Sequence, residues 1–218
     1  MMQVMAALSS PSQTADRNSA LASGEQRFVI HGVTYPQYVA LRESFDVPGL
    51  RMAYYEGTLE LMSPSIEHER IKSLLARMIE LWAVESDVPV YAYGSTTFRK
   101  EAADRGLEPD ECYFVGGDFD AERRAFPDIA LEVALSSGGL NKLAIYSGLG
   151  VKEVWFWRGG GLELHALREG GLYERIAQSE LLPSLDVELV ARFAERRDQP
   201  QALKEYWLAL GEVGHRAR

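Results

Sequence analysis

The order of residue patterns along this chain predicts a mixed α/β (α+β) fold, in which a β-sheet is flanked by helices and followed by a C-terminal β-meander. Three observations predict it. The stretch SPSIEHERIKSLLARMIELWAVES repeats apolar side chains at helical spacing, whereas the runs on either side are short and rich in β-branched and aromatic residues. Three further runs, VKEVWFW, GLELHALR and GLYERIA, are separated only by the glycine-rich turns RGGG and EGG. Helical and extended patterns alternate rather than segregate, which calls for a sheet with helices on its faces.

In chain order, YPQYVALRESFD places Tyr38, Leu41 and Phe45 on one side of a short helix, with Pro36 in its first turn. RMAYYEGTLELMS alternates about Glu56-Gly57 as a β-hairpin does. The main helix follows Ser65, a good N-cap; Glu67 and Glu69 complement the dipole of its first turn, and Ile71, Leu74, Leu75, Met78, Ile79 and Trp82 form its stripe. VPVYAYGSTTFRK reads as two short strands broken at Gly94-Ser95, then ECYFV and DIALEVA as two more. SSGGLNKLAIYSGLG reads as a helix entered through Gly138-Gly139 and closed by Gly148 and Gly150. After the meander, a polar tail helix runs from Gln201 to Gly211. This divides the chain into a flexible leader (1–25), a folded domain (26–195) and a C-terminal helix and tail (196–218).

The composition narrows the function classes. A chain of 218 residues suits one domain. Its single cysteine, Cys112, provides neither a disulfide framework nor a thiolate zinc cluster, which points to a reducing cytoplasm. The sequence has no run long enough to span a membrane, and the apolar patch Val4–Leu8 lacks the basic residues that precede a secretory signal. A net charge of -9 argues against a general nucleic-acid coat, although divalent cations themselves require acidic ligands.

The acids within apolar runs need a reason. In an extended DIALEVA, Ile129, Leu131 and Val133 share one face, while Asp128, Ala130, Glu132 and Ala134 share the other. Two carboxylates on one face must be solvated, paired or bound to metal, so an exposed sheet face and a functional site both remain open. Glu67 falls on the stripe of Ile71, Leu74 and Met78, and His68 lies in line with Leu75 and Ile79. Glu67 either serves the helix dipole in water or points into the fold. Lys142 lines up with Ile145, Tyr146 and Leu149; it either snorkels outward or swings back over the carboxylates. Two or three acids and one base are what metal-assisted phosphodiester hydrolysis requires: oxygen ligands for Mg²⁺ or Mn²⁺, and a lysine to orient the attacking water.

Other chemistries fit poorly. There is no Gly-x-Ser-x-Gly elbow, His31, His68, His165 and His215 lack ligand spacing, and RGGG is not followed by the Lys-Ser/Thr of a phosphate loop.

The landmarks YYEGTLELMSPSIEHERI, EPDECYF, PDIALEVALSSGGLNKLAIYSGLGVKEVWFW and LLPSLDVELVARF, spread from about Arg51 to Phe193, resemble the Uma-type restriction endonucleases of the PD-(D/E)xK nuclease superfamily, a bacterial group expanded in cyanobacteria. The resemblance implies a restriction-endonuclease-like fold and a metal-dependent endonuclease acting on DNA. It implies Asp110, Glu132 and Glu67 as ligands of Mg²⁺ or Mn²⁺, with Lys142 as the catalytic lysine. The chain departs from the pattern at Ala134, where the superfamily has that lysine, and at Asn141, where the family commonly has aspartate. Asp128 shares a strand with Glu132 but lies about 13 Å along it at roughly 3.3 Å per residue, so Asp110 is the preferred ligand and Asp128 either a strand-entry residue or a partner that supports the ligands from behind. The alternative is an inactive nuclease-fold module that binds protein or nucleic acid. Basic residues that could rim a nucleic-acid site are Arg70, Lys72, Arg99, Lys100 and Arg105. A homodimer would suit cleavage of both strands of a duplex.

Overall fold

The structure, a computed structural model, describes residues 24–45, 49–117 and 125–216, with side chains through residue 211. The leader expected over residues 1–25 lies outside the described residues up to residue 23. In chain order the first elements are β1 (Gln26–His31), α1 (Tyr35–Ser44), β2 (Arg51–Tyr55), β3 (Thr58–Ser63), α2 (Ile66–Glu85), β4 (Val90–Ala92), β5 (Phe98–Lys100) and β6 (Arg105–Leu107). They are followed by β7 (Glu111–Val115), β8 (Ile129–Val133), α3 (Lys142–Leu149), β9 (Glu153–Arg158), β10 (Gly161–Leu167), β11 (Tyr173–Ile176), α4 (Val187–Ala194) and α5 (Gln199–Arg216).

The fold is mixed α/β, and its strands divide between two sheets where the sequence led us to expect one. The first sheet runs β1-β3-β2-β6-β5 and is antiparallel throughout. The second runs β11-β10-β9-β8-β7-β4 and contains the expected meander, β9 to β11. Its one parallel pair among the described residues is β8 with β9. Parallel neighbours need a crossover connection, and α3 supplies it.

The alternation read in β8 sorts the molecule into layers. Ile129, Leu131 and Val133 face a core built with the α2 stripe, Trp155, Leu189, Phe193 and Tyr206. Ala130 faces a second core with Ile145, Tyr146, Leu149 and Phe156, which also receives Ala53 and Leu107 of the first sheet. The second sheet thus carries α2, α4 and α5 on one face, and α3 with the first sheet on the other. A third cluster stacks Tyr38 on Tyr54, with ring centroids 5.0 Å apart, between α1 and β2.

Ser65 caps α2 as expected, accepting from the His68 amide. The α3 helix starts later than the glycine pair suggested. Gly138 and Gly139 hold φ values of 94° and 91°, left-handed backbone that ends one segment rather than opening a helix. Asn141 is the N-cap, its side chain accepting from the Ala144 amide. The C-terminal helix is longer than expected, and it buries Ala202 and Tyr206 in the main core rather than lying outside as a polar tail.

Candidate active site

The pairing of β7 with β8 brings two acids together. Glu111 opposes Leu131 and Cys112 opposes Ala130, so the same antiparallel register carried one residue further sets Asp110 against Glu132. Both side chains fall on the face turned toward α3, and each residue is 1% exposed. Asp128, the other acid on that face of β8, is buried as well, so the exposed-face reading of Asp128 and Glu132 is excluded.

The α3 helix answers Glu132 with two donors one turn apart. The Lys142 ammonium lies 2.5 Å from Glu132 Oε2, and the Tyr146 hydroxyl donates to Oε1 across 2.5 Å. Residues four apart share a helix face, so the first two turns of α3 present both groups at once. Burial pushes the Glu132 carboxyl up to about 7; the Lys142 charge opposes the rise and the Asp110 charge adds to it. Burial also works against the charge on Lys142, yet its ammonium is held above the usual lysine value by Glu132, Asp110 and Glu60. Lys142, the candidate for the lysine missing at Ala134, reaches back to Glu132 from the next helix.

Asp110 is held differently. Its Oδ2 accepts from the Val133 amide at 2.8 Å, and its Oδ1 forms a close ion pair with His68 Nε2 at 3.0 Å. Arg51 Nε stands 4.0 Å away. Burial alone would raise this carboxyl, but His68, the Lys142 charge and the Val133 amide outweigh it and hold it at about 2. His68 is itself fully buried, with Nδ1 2.8 Å from Glu25 Oε1. Both ring nitrogens face carboxylates, which favours the imidazolium; against the effect of burial, the contacts with Asp110 and Glu25 push its pKa up to about 9.

The structure does not bring Glu67 to this group. Its side chain is 51% exposed and accepts from Arg70 Nε and Nη2 at 2.9 and 2.8 Å. The neighbouring residue, His68, fills the position on α2 that faces the acids. Its signal in the sequence was the alignment with Leu75 and Ile79, which places it on the buried side. Tyr146 and Glu60 were also missed. Glu60 lies in the hairpin strand β3 among buried neighbours, and such a carboxylate needs partners.

Glu132 and Lys142 open onto a cleft of about 580 Å³, whose wall also includes Arg27, Glu60, Asn141 and Arg158. Glu60 accepts from the Leu140 amide at 2.8 Å and pairs with Arg27 at 3.7 Å. A Cβ on Gly139 would stand 2.3 Å from the Glu60 carboxylate, so this turn admits only glycine. The expected basic rim is not at this cleft, whose basic side chains are Arg27, Lys142 and Arg158. Arg70, Lys72 and Arg99 pair with Glu67, Glu69 and Glu43, Lys100 donates to the Gly148 carbonyl, and Arg105 pairs with Glu56. Asp128 accepts from the Val115 amide and pairs with Lys152 at 2.8 Å, a structural role at the start of β8.

As a metal site the donor set fits in type. Asp110 and Glu132 offer hard carboxylate oxygens side by side in a buried setting; burial, and after it the Asp110 charge, raises the Glu132 carboxyl, and a cation would favour its ionised form. Among the described residues, no group of three or more His, Cys, Asp or Glu side chains is disposed to hold an ion. Mg²⁺ commonly makes do with one or two carboxylates, completing its shell with water and substrate phosphate.

The Uma2 family model, described as "Putative restriction endonuclease", matches residues 35–196. Among solved structures, the chain is similar to a "putative nuclease belonging to DUF820" from Anabaena variabilis ATCC 29413, at 16% identity and a TM-score of 0.47, over 81% of this chain and 99% of the other. No curated protein matches it. Among the described residues, no helix is long and apolar enough to cross a membrane.

Proposed function

The chain belongs to the Uma2 family, and from that premise we propose that it is an Mg²⁺- or Mn²⁺-dependent endonuclease that hydrolyses phosphodiester bonds of DNA at the Asp110–Glu132 pair. The observation that carries the reading is Lys142, which reaches back from α3 to Glu132 where that residue opposes Asp110. Asp110 and Glu132 would hold the cation. When bound, it supplies charge neutralisation at the scissile phosphate and a water acidic enough to attack near neutral pH.

The remaining work falls to side chains. Tyr146 fixes one oxygen of Glu132, and Lys142 holds a positive charge against the other, at the mouth of the cleft. From there the ammonium can turn to a phosphate oxygen or orient the nucleophilic water. Glu132, its carboxyl near 7 in the metal-free protein, must be ionised to hold the cation. His68 keeps Asp110 ionised and in place. Two copies related by a twofold axis would cut both strands of a duplex, and we retain a homodimer as part of the proposal.

The test is cleavage of supercoiled plasmid with Mg²⁺ or Mn²⁺. The parent protein should convert it, and Asp110→Asn and Glu132→Gln should each lose at least about 100-fold, since even the outer partners of metal ligands contribute about 10- to 100-fold. A second reading has its own support: Lys142 already neutralises Glu132, and no third ligand converges among the described residues. A module that only binds nucleic acid would retain DNA without cutting it under any divalent cation.

A further inference from the structure

We propose that Glu25, which lies upstream of the family-matched residues 35–196, is a positioning residue that fixes Asp110 through His68. The inference rests on the nuclease reading for its consequence and on geometry for its substance. The pairing of β1 with β3 sets Gln26 against Ser63, two residues before the N-cap of α2. Glu25 is thereby delivered to the first turn of α2, where His68 is buried. Gly24, at φ +73°, makes the turn into it.

Both carboxylate oxygens of Glu25 are engaged. Oε1 lies 2.8 Å from His68 Nδ1, and Oε2 accepts from the Ser136 hydroxyl at 2.7 Å. Ser136 belongs to the loop after β8 that lines the cleft. One residue of the N-terminal segment therefore joins the helix that orients Asp110 to the loop that follows Glu132. His68 in turn places Nε2 3.0 Å from Asp110 Oδ1, so the order of contact is Ser136, Glu25, His68, Asp110.

Stability alone explains this arrangement poorly. A buried carboxylate–imidazole pair is often no more stabilising than apolar side chains of similar volume would be, because desolvation offsets the attraction. The strand that follows Glu25 buries little apolar surface either; Phe28, Val29 and Ile30 are all exposed. What this segment does bury is Glu25 itself, 3% exposed. A charged group buried by an otherwise superficial strand acts through what it holds, and it holds the histidine behind Asp110. The family-matched region lacks this contact, so a fragment beginning at residue 35 would carry His68 without its Nδ1 partner.

The test compares full-length parent with Glu25→Gln and Glu25→Asp. The first readout is the ¹⁵N chemical shifts of the His68 ring nitrogens in the metal-free protein, and the second is Mn²⁺ affinity by calorimetry. Glu25→Gln should shift the His68 Nδ1 resonance and weaken Mn²⁺ about 10-fold, the lower end of what outer partners of metal ligands contribute. Glu25→Asp, which keeps the charge, should restore part of both. Unchanged His68 shifts in Glu25→Gln overturn the proposal, and so does unchanged affinity in a parent that binds Mn²⁺. If the parent binds no Mn²⁺ even with a DNA duplex present, the nuclease reading fails instead, and the ¹⁵N shifts alone decide the role of Glu25.

Discussion

Glu132 receives a lysine and a tyrosine from one helix and faces a second acid across the strand pair, so its proton affinity reports on the whole site. Lys142 opposes the rise of its carboxyl toward 7. Lys142→Met should therefore move Glu132 higher and slow cleavage about 10²- to 10⁴-fold, the range for loss of a general acid or base. The acidic limb of the pH–rate profile should move to higher pH, because Glu132 must be ionised to bind a cation; a limb left in place would contradict this. His68 gives a separate signature. Its pKa of about 9 lies above the ordinary 6.5, so its contribution is complete below about 6.5 and lost as pH rises through about 9. The linked stability is about 3 kcal/mol. Urea denaturation at pH 6 and pH 9.5 should show that loss in the metal-free parent and a flatter profile in His68→Gln.

At the scale of elements, Glu153 has a structural role. It stands in the run VKEVWFW, buried, accepting from Trp155 Nε1, the Ser179 hydroxyl and the amides of Glu180 and Leu181 at 2.8 to 3.0 Å. It fastens the segment after β11 to the start of β9. Glu153→Ala leaves four donors without their acceptor and should cost at least about 4 kcal/mol in a denaturant titration, since each buried unpaired group costs roughly 1–3 kcal/mol. Plasmid cleavage by the folded fraction should persist. Gly139→Ala should act on the site itself: a Cβ there meets Glu60 and sits at φ +91°. A loss of about 1–3 kcal/mol is the scale for strain of this kind, read as a lowered Tm. Elements with strong periodicity were legible, as in the α2 stripe and the alternation of β8. The strands β1 and β6 were not, because Gln26–His31 lies alone before any partner in the chain and Arg105–Leu107 is only three residues long. The helix α4 was missed because its eight residues span barely two turns, too few for the period to stand out.

Over the whole molecule, the site emerges from long-range pairing, and this sets what a sequence can disclose. Asp110, Glu132 and Lys142 lie within one continuous stretch whose strand order could be inferred, so they were legible. Glu25, Glu60 and His68 come from elements that meet the stretch only after the two sheets close on one another. Glu67 was misdirected by one residue of helical phase, 100° on the α2 wheel, which is the difference between facing Arg70 in solvent and facing Asp110 in the core. The net charge of -9 adds a whole-chain expectation. With few basic side chains at the cleft, DNA affinity should depend on divalent cation more steeply than on the monovalent salt that governs phosphate-neutralising proteins. Filter binding across a salt series, with and without Ca²⁺, would show it. The most direct measurement of the central claim is calorimetric titration of Mn²⁺ into the parent, Asp110→Asn and Glu132→Gln, each with a DNA duplex present. Saturable binding in the parent that is lost in both variants is the predicted result. No binding in the parent, or equal binding in all three, would contradict a metal site at Asp110 and Glu132.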